Sequence, residues 1–250
     1  MSADDPIALL RPVWAVVAGR MGSSRLPGKT MAPLAGRPSL RHIVERLRRV
    51  PELDGVVVAT TEHPRDDVIR SCADEAGVPA FSGSEHDVLG RTLGAARSVG
   101  ARTIVQVTGD CPLVDPAVVS RVLAAYAAER PDYASNVLGG LSYPAGLDVE
   151  VFGADVLAQV DAATSDPRDR EHVSIYIYEH PERFRLLGVP APPEHHRPEL
   201  FLCIDTEADR EVVRRVYDEL HGDHGAFGLD EVLAFLDAHP DIAATNAPER

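Results

Sequence analysis

The sequence predicts an α/β domain on a mostly parallel sheet with a small antiparallel addition, and three observations carry that expectation. Segments of strand and helix character alternate from the start of the chain. Three consecutive strand-like runs feed loops that fall at the same edge of a parallel sheet. The 250 residues, 44% hydrophobic, also supply enough apolar material for a large core. We read the chain as one domain over 1–250, with a core of about 12–136, a lid region of about 137–200, and a return strand and closing helices over about 200–250.

Val13 to Ala18 is a short apolar run closed by Gly19 and reads as the first strand. Leu40 to Arg49 is amphipathic and helical, and Gly55 to Thr60 reads as a buried strand. Asp66 to Ala76 is helical with Gly77 as its stop, Val78 to Phe81 is a short strand, and Asp87 to Val99 is a helix stopped at Gly100. The β-branched run Thr103 to Val107 feeds the turn Thr108-Gly109-Asp110-Cys111-Pro112. Asp115 then caps a helix that Pro116 opens and that runs to Glu129.

Beyond Tyr133 the punctuation changes. Gly139-Gly140 and Pro144-Ala145-Gly146 precede the alternating stretch Leu147 to Phe152, and a proline-rich loop runs from Pro190 to Pro198, the pattern of an antiparallel addition or lid. Helices are expected over Ala154 to Ala163 and Arg168 to Glu179, with a strand near Phe184 to Val189. Leu200 to Ile204 reads as a return strand ending at Asp205-Thr206, and helices over Ala208 to Leu220 and Leu229 to Ala238 close the chain.

Charge and cysteine usage exclude several classes. A net charge of −14, from 39 acidic and 25 basic residues spread along the chain, opposes a sequence-independent grip on a nucleic-acid backbone. Cys72, Cys111 and Cys203 are too few and too widely spaced for a disulfide framework or a structural zinc site, and fit a reducing cytoplasm. The Met1-Ser2-Ala3-Asp4-Asp5 start lacks a basic leader, and Arg11 and Pro12 break the apolar stretch after it. We therefore expect a cytoplasmic protein that engages no membrane.

One basic residue stands apart, because Lys29 is the sole lysine beside 24 arginines, a skew that suits the codon bias of a GC-rich genome. An ammonium is a compact point charge that sits among phosphate oxygens, whereas a guanidinium is a wide planar fork. The loop Gly19-Arg20-Met21-Gly22-Ser23-Ser24-Arg25-Leu26-Pro27-Gly28-Lys29-Thr30 joins freed backbone amides to three cations, a combination suited to a polyphosphate. It is not a P-loop: five residues separate Gly22 from Gly28, and Pro33, Gly36 and Pro38 follow where a helix would have to grow. The dinucleotide fingerprint is absent as well. Asp110 ends a buried strand at the same sheet edge, where a magnesium ion bridging phosphates would need a carboxylate; a turn aspartate capping its own backbone is the plain alternative. Asp205 ends a later apolar run and reads as a second ligand, as the cap of the following helix, or as both. On the stretch after Tyr143, alternation points Asp148 and Glu150 the same way, toward either a metal and acceptor or toward solvent. Over Arg168 to Glu179 the four-residue spacing of His172, Tyr176 and His180 marks a half-buried stripe.

These segments resemble the cytidylyltransferases that activate acidic sugars, above all the branch of spore coat polysaccharide biosynthesis protein F, with the 3-deoxy-manno-octulosonate cytidylyltransferases as relatives. The resemblance covers nearly the whole chain. Beyond Arg20 to Lys29 it takes in Val57 to Thr61, Gly83 to Arg91, Thr108 to Leu113, Tyr143 to Phe152, Arg170 to Val173 and Asp205-Thr206. One departure is that the family usually carries Gln-Ala where this chain has Ala18-Gly19, which bears on selectivity for cytosine.

The resemblance implies a three-layer Rossmann-like nucleotide-diphospho-sugar transferase fold and the magnesium-dependent transfer of CMP from CTP to a small anionic acceptor, with a homodimer as the assembly. It implies catalytic roles for Arg20, Lys29, Asp110 and Asp205, the two aspartates holding the metal. It implies nucleotide contacts at Ala18, Gly19, Gly22, Ser23, Ser24, Arg25, Ser84 and Arg91, and acceptor contacts at Tyr143, Gly146, Asp148, Glu150, Arg170 and His172. Two rivals stay open: a nucleotide-sugar-dependent glycosyltransferase, although Asp110-Cys111-Pro112 lacks the Asp-x-Asp such enzymes commonly show, and a nucleotide-binding regulator without turnover.

Overall fold

The computed structural model describes residues 6–222 and 226–247, so the amino-terminal five residues read above lie outside it. Nine strands and ten helices occur among the described residues. In chain order they are β1 (Val13–Ala18), β2 (Pro33–Leu34), β3 (Arg37–Pro38), α1 (Ser39–Leu47), β4 (Gly55–Thr61), α2 (Asp67–Glu75), β5 (Ala80–Gly83), α3 (Val88–Ser98), β6 (Thr103–Thr108) and α4 (Pro116–Glu129). Then follow β7 (Tyr133–Ser135), β8 (Glu150–Gly153), α5 (Ala154–Ala163), α6 (Pro167–His172), α7 (Ile175–Glu179), β9 (Leu186–Gly188), α8 (Glu207–Leu220), α9 (Leu229–Ala238) and α10 (Pro240–Ala243).

Seven strands form one sheet in the order β5-β4-β1-β6-β8-β7-β9. β5, β4, β1 and β6 are parallel, β8 runs antiparallel to both β6 and β7, and β9 is parallel to β7. A separate antiparallel hairpin joins β2 to β3. Alternation along the strands splits the core into two layers. Val13, Ala15 and Val17 of β1 face α1, α2, α4, α8 and α9, whereas Val16 faces α3, α5 and α7. The result is the expected three-layer α/β architecture.

Several expected boundaries move. The strand expected at Val78 to Phe81 forms at Ala80–Gly83, and those expected at Leu147 to Phe152 and Phe184 to Val189 shorten to β8 and β9. The expected helix from Arg168 to Glu179 breaks into α6 and α7 at Val173, which takes φ 52 while its side chain is buried in the core. The His172, Tyr176, His180 stripe therefore does not exist as one surface: His172 ends α6, while Tyr176 and His180 stack on each other with ring centroids 4.1 Å apart. Leu200 to Ile204 is not a strand. It makes a single parallel bridge, Phe201 to Ala145, because its partner is the irregular Pro144–Gly146 loop and not a ladder. The small hairpin of the fold lies at β2–β3, and the 137–200 region instead adds β8 and β9 to the main sheet.

Candidate functional site

The site assembles where β1 and β6 end side by side. Gly19 N–H donates to Ala59 O at 3.1 Å, and Gly109 N–H donates to Ala18 O at 2.8 Å. A Cβ on Gly19 would lie 2.8 Å from Thr30 Cγ2, and one on Gly109 would lie 2.9 Å from Ala18 O, so these loops meet because both residues lack side chains. Gly28, at φ 80, turns the chain into a single 3₁₀ turn over Lys29–Met31, after which Pro33 starts β2. The loop is pinned from behind: Met21 N–H donates at 2.8 Å to the fully buried Asp66, whose other oxygen accepts from the Thr61 hydroxyl.

Lys29 stands between two carboxylates. Ile204 N–H donates to Asp110 O at 2.8 Å, which lays the 202–205 segment beside the end of β6. Lys29 Nζ is 2.5 Å from Asp110 Oδ2 and 2.6 Å from Asp205 Oδ1, and Arg25 Nη2 is 2.8 Å from Asp205 Oδ2. Burial works against the ammonium charge, but Asp110 and Asp205 outweigh it and lift the Lys29 pKa above the ordinary lysine value. Asp205 is not the cap of α8. Thr206 Oγ1 accepts from Asp209 N–H, and Asp209 Oδ2 accepts from Thr206 N–H at 2.9 Å and Asp205 N–H at 3.1 Å. Both Asp205 oxygens are thereby left to cations. Two hard oxygen donors that converge on one cationic atom also suit a divalent ion such as magnesium.

A cleft of about 400 Å³ opens in front of this triad. Of the residues singled out in the sequence, Ala18, Gly19, Arg20, Ser23, Ser24, Arg25, Lys29, Arg91, Asp110, His172 and Asp205 line it. Arg20 donates to Glu85 O at 3.0 Å and pairs with Glu171 across the cleft at 3.3 Å. Arg91 is buried, donates to Ser84 O at 2.6 Å, and its Nε finds no partner. Burial first, and then the Arg20 charge, lowers its pKa. Sequence reading missed Glu171, Thr30, Val88, Thr108 and Gly109, which also line the cleft. All five lie inside the segments quoted above, and membership of those segments was the one signal available.

The remaining sequence candidates are not among the residues that line the cleft. Gly22 sits against the Arg65–Glu85 ion pair, and the Ser84 hydroxyl accepts from His86 N–H. Tyr143 is buried in the core. Gly146, at φ 96, carries the chain so close to Cys203 that a Cβ would lie 2.5 Å from its backbone nitrogen. Arg170 ties α6 to Asp87, the N-cap of α3, at 2.8 and 2.5 Å and to Asp161 of α5 at 2.8 Å. Asn136 clamps the chain on either side of Asp148, donating to Leu147 O and accepting from Val149 N–H, both at 2.8 Å. Burial, reinforced by Asp110, pushes the Asp148 pKa up to about 6, and burial pushes Glu150 to about 7. Each of these carboxyl groups has one buried oxygen without a hydrogen-bond partner.

The comparisons with known proteins bear on this geometry. The cytidylyltransferase family model matches residues 14–224, a span that holds every residue of the Lys29 triad. The chain is 31% identical over 233 residues to the spore coat polysaccharide biosynthesis protein SpsF of Bacillus subtilis (strain 168), covering 91% of this chain and 95% of that protein. It is 31% identical over 183 residues to a 3-deoxy-manno-octulosonate cytidylyltransferase of Anaeromyxobacter dehalogenans (strain 2CP-1), covering 68% and 74%. Among solved structures, a cytidylyltransferase from Leptospira borgpetersenii serovar Hardjo-bovis superposes with a TM-score of 0.85 at 30% identity, covering 93% of this chain and 96% of that one. A CMP:2-keto-3-deoxy-manno-octonic acid synthetase, at 19% identity and a TM-score of 0.64, shares the fold. A family match over most of the chain, on a sheet that brings a lone lysine and two strand-end aspartates to one cleft, means that this chain belongs to the cytidylyltransferase family.

Proposed function

We propose that the enzyme transfers CMP from CTP to a small anionic acceptor of the sugar-acid type, in a magnesium-dependent reaction that releases pyrophosphate. The observation that carries this reading is Lys29 held between Asp110 and Asp205 at the end of an arginine-bearing, glycine-opened loop. Arg20 and Arg25 reach the same cleft, so three cations stand where a triphosphate would lie. Charge accumulates on the departing pyrophosphate, and these cations with the Gly19–Ser24 amides neutralise it as the bond to the α-phosphorus breaks. Asp110 and Asp205 would hold the magnesium ion, which when bound supplies electrophilic polarisation of the α-phosphate. Arg91 and the Ser84 region wall the nucleoside end, and His172, which lines the same cleft, offers its imidazole to an anionic acceptor. The names of the relatives, which act in spore coat polysaccharide synthesis and on 3-deoxy-manno-octulosonate, support a sugar acid as the acceptor class.

The test is thermal stabilisation of the purified protein by CTP, UTP, GTP, ATP and dTTP, each with and without magnesium, followed by screening of sugar acids for pyrophosphate release. A magnesium-dependent shift with CTP alone, and release with a sugar acid, is expected. A preference for UTP or dTTP would overturn the nucleotide assignment, and tight CTP binding without release on any acceptor would favour a regulator.

A further inference from the structure

Glu150 sits in the sheet, directly opposite Gln106 on β6 and Ser135 on β7. Cross-strand neighbours have Cβ atoms about 5 Å apart and point to the same face. Gln106 Oε1 and Glu150 Oε2 are both buried, and neither has a hydrogen-bond partner. Both atoms are acceptors when the carboxyl group is ionised, so an ionised Glu150 would leave two unpartnered oxygens on side chains that share one sheet face at directly paired positions. One proton resolves both deficits. We infer that below neutral pH Glu150 is a neutral carboxylic acid whose Oε2–H donates across the sheet to Gln106 Oε1, and that this pair positions the strand leading back to Asp148.

The surroundings agree with that assignment. The groups facing Glu150 are the hydroxyls of Ser174, at the α6–α7 break, and of Tyr133 on β7, the ring of Tyr178 on α7, and the Asp148 carboxyl on its own segment. Among the described residues no arginine, lysine or histidine forms an ion pair with it, in contrast to Asp110 and Asp205. Burial disfavours the carboxylate, the neighbouring Asp148 charge adds to this, and the Glu150 pKa rises to about 7. The proton also matters to the reaction, in a step that rests on the function proposed above. A neutral Glu150 removes one negative charge from beside Asp148, and so lowers the negative potential behind the site at which an anionic acceptor would bind.

The charge state can be tested without any acceptor. In the full-length protein labelled with ¹³C at glutamate carboxyl carbons, one resonance, assigned by its absence in Glu150→Gln, is expected to titrate near neutrality. Thermal stability should follow. A raised native pKa means that the stabilisation is full below the ordinary value of 4.5 and is lost as the pH climbs through about 7. The melting temperature of Glu150→Gln, whose amide keeps a donor toward Gln106, should therefore rise relative to wild type as the pH increases across that interval, and then level off. A Glu150 resonance that titrates in the usual carboxylate range would overturn the assignment. So would a Glu150→Gln difference that stays flat with pH, because Gln106 would then be presenting its amide N–H to an ionised partner. Failure of CTP binding would overturn the proposed function and leave this result intact.

Discussion

Two pairs of carboxylates lie near one end of the sheet in different electrical surroundings. Asp110 and Asp205 share Lys29, with Arg25 behind, and their side chains keep 21% and 17% of their surface at the cleft. Among the described residues no cation pairs with Asp148 or Glu150, each buries an unpaired oxygen, and their pKa values are pushed up to about 6 and about 7. The residue types are the same, so the difference comes from what the chain folds against them. The first pair ends segments that meet an arginine-lysine loop, whereas the second is enclosed by the loop at Asn136, the α6–α7 break and β7. Cations gather at the first pair. At the second, burial favours the protonated form.

The comparison breaks most visibly at Lys29. Lys29→Ala removes the cation shared by Asp110 and Asp205, and pyrophosphate release from CTP with an accepted sugar acid should fall about 10³-fold, the scale of losing one preorganised charge-stabilising group. Substitution of Gln106 by leucine should cost far less turnover, and equal losses at the two positions would erase the distinction.

Next in size is the pH dependence of stability. Asp148 and Glu150 both bind protons more tightly in the native state, so their contribution is complete below their ordinary carboxylate values and is lost as the pH rises toward about 6 and about 7. The Glu150 share is on the order of 3 kcal/mol. Denaturant unfolding across this interval should show a decline with rising pH that Asp148→Asn and Glu150→Gln together remove. Lys29 acts in the opposite range: its raised pKa gives a contribution that persists to about 10.5 and is lost only above it.

Lys29→Arg sharpens the comparison further. Charge is conserved, but a planar fork cannot sit at one point between Asp110 Oδ2 and Asp205 Oδ1, so turnover should drop at least about tenfold, or about 1.4 kcal/mol. Wild-type kinetics would show that the site asks only for a positive charge. Arg25→Ala should be the mildest in the free protein. Arg25 is 62% exposed, and its ion pair with Asp205 should change stability by less than about 1 kcal/mol, measured by thermal melting.

The nucleotide half of the molecule was legible because its signals are local. Gly19, Gly28 and Gly109 stand where the backbone must turn or approach closely, Asp115 caps α4 through Ala117 and Val118, and the only lysine sits in the loop those glycines open. The other half was legible only in part. β7 has three residues, too few to show a period, and α6 and α7 break at Val173 because burying that side chain outweighs continuing the helix. Arg170 and Tyr143 carry the family's motif, yet one is a fastener between α3 and α5 and the other a core residue.

By itself the sequence determined the α/β layering, the loop chemistry at Gly19 to Lys29, and the presence of acidic residues at two later segment ends. These depend on periodicity and on conformational demands that each residue meets within a few positions of itself. Only the tertiary structure decided which carboxylates meet a cation and which are enclosed without one, because both depend on neighbours brought together from far along the chain. Asp205 meets Lys29 across 176 positions, and Glu150 meets Gln106 across a strand pairing that no local pattern announces. Burial and the nearest opposite charge set the free energy of a proton, and both are properties of the packed molecule.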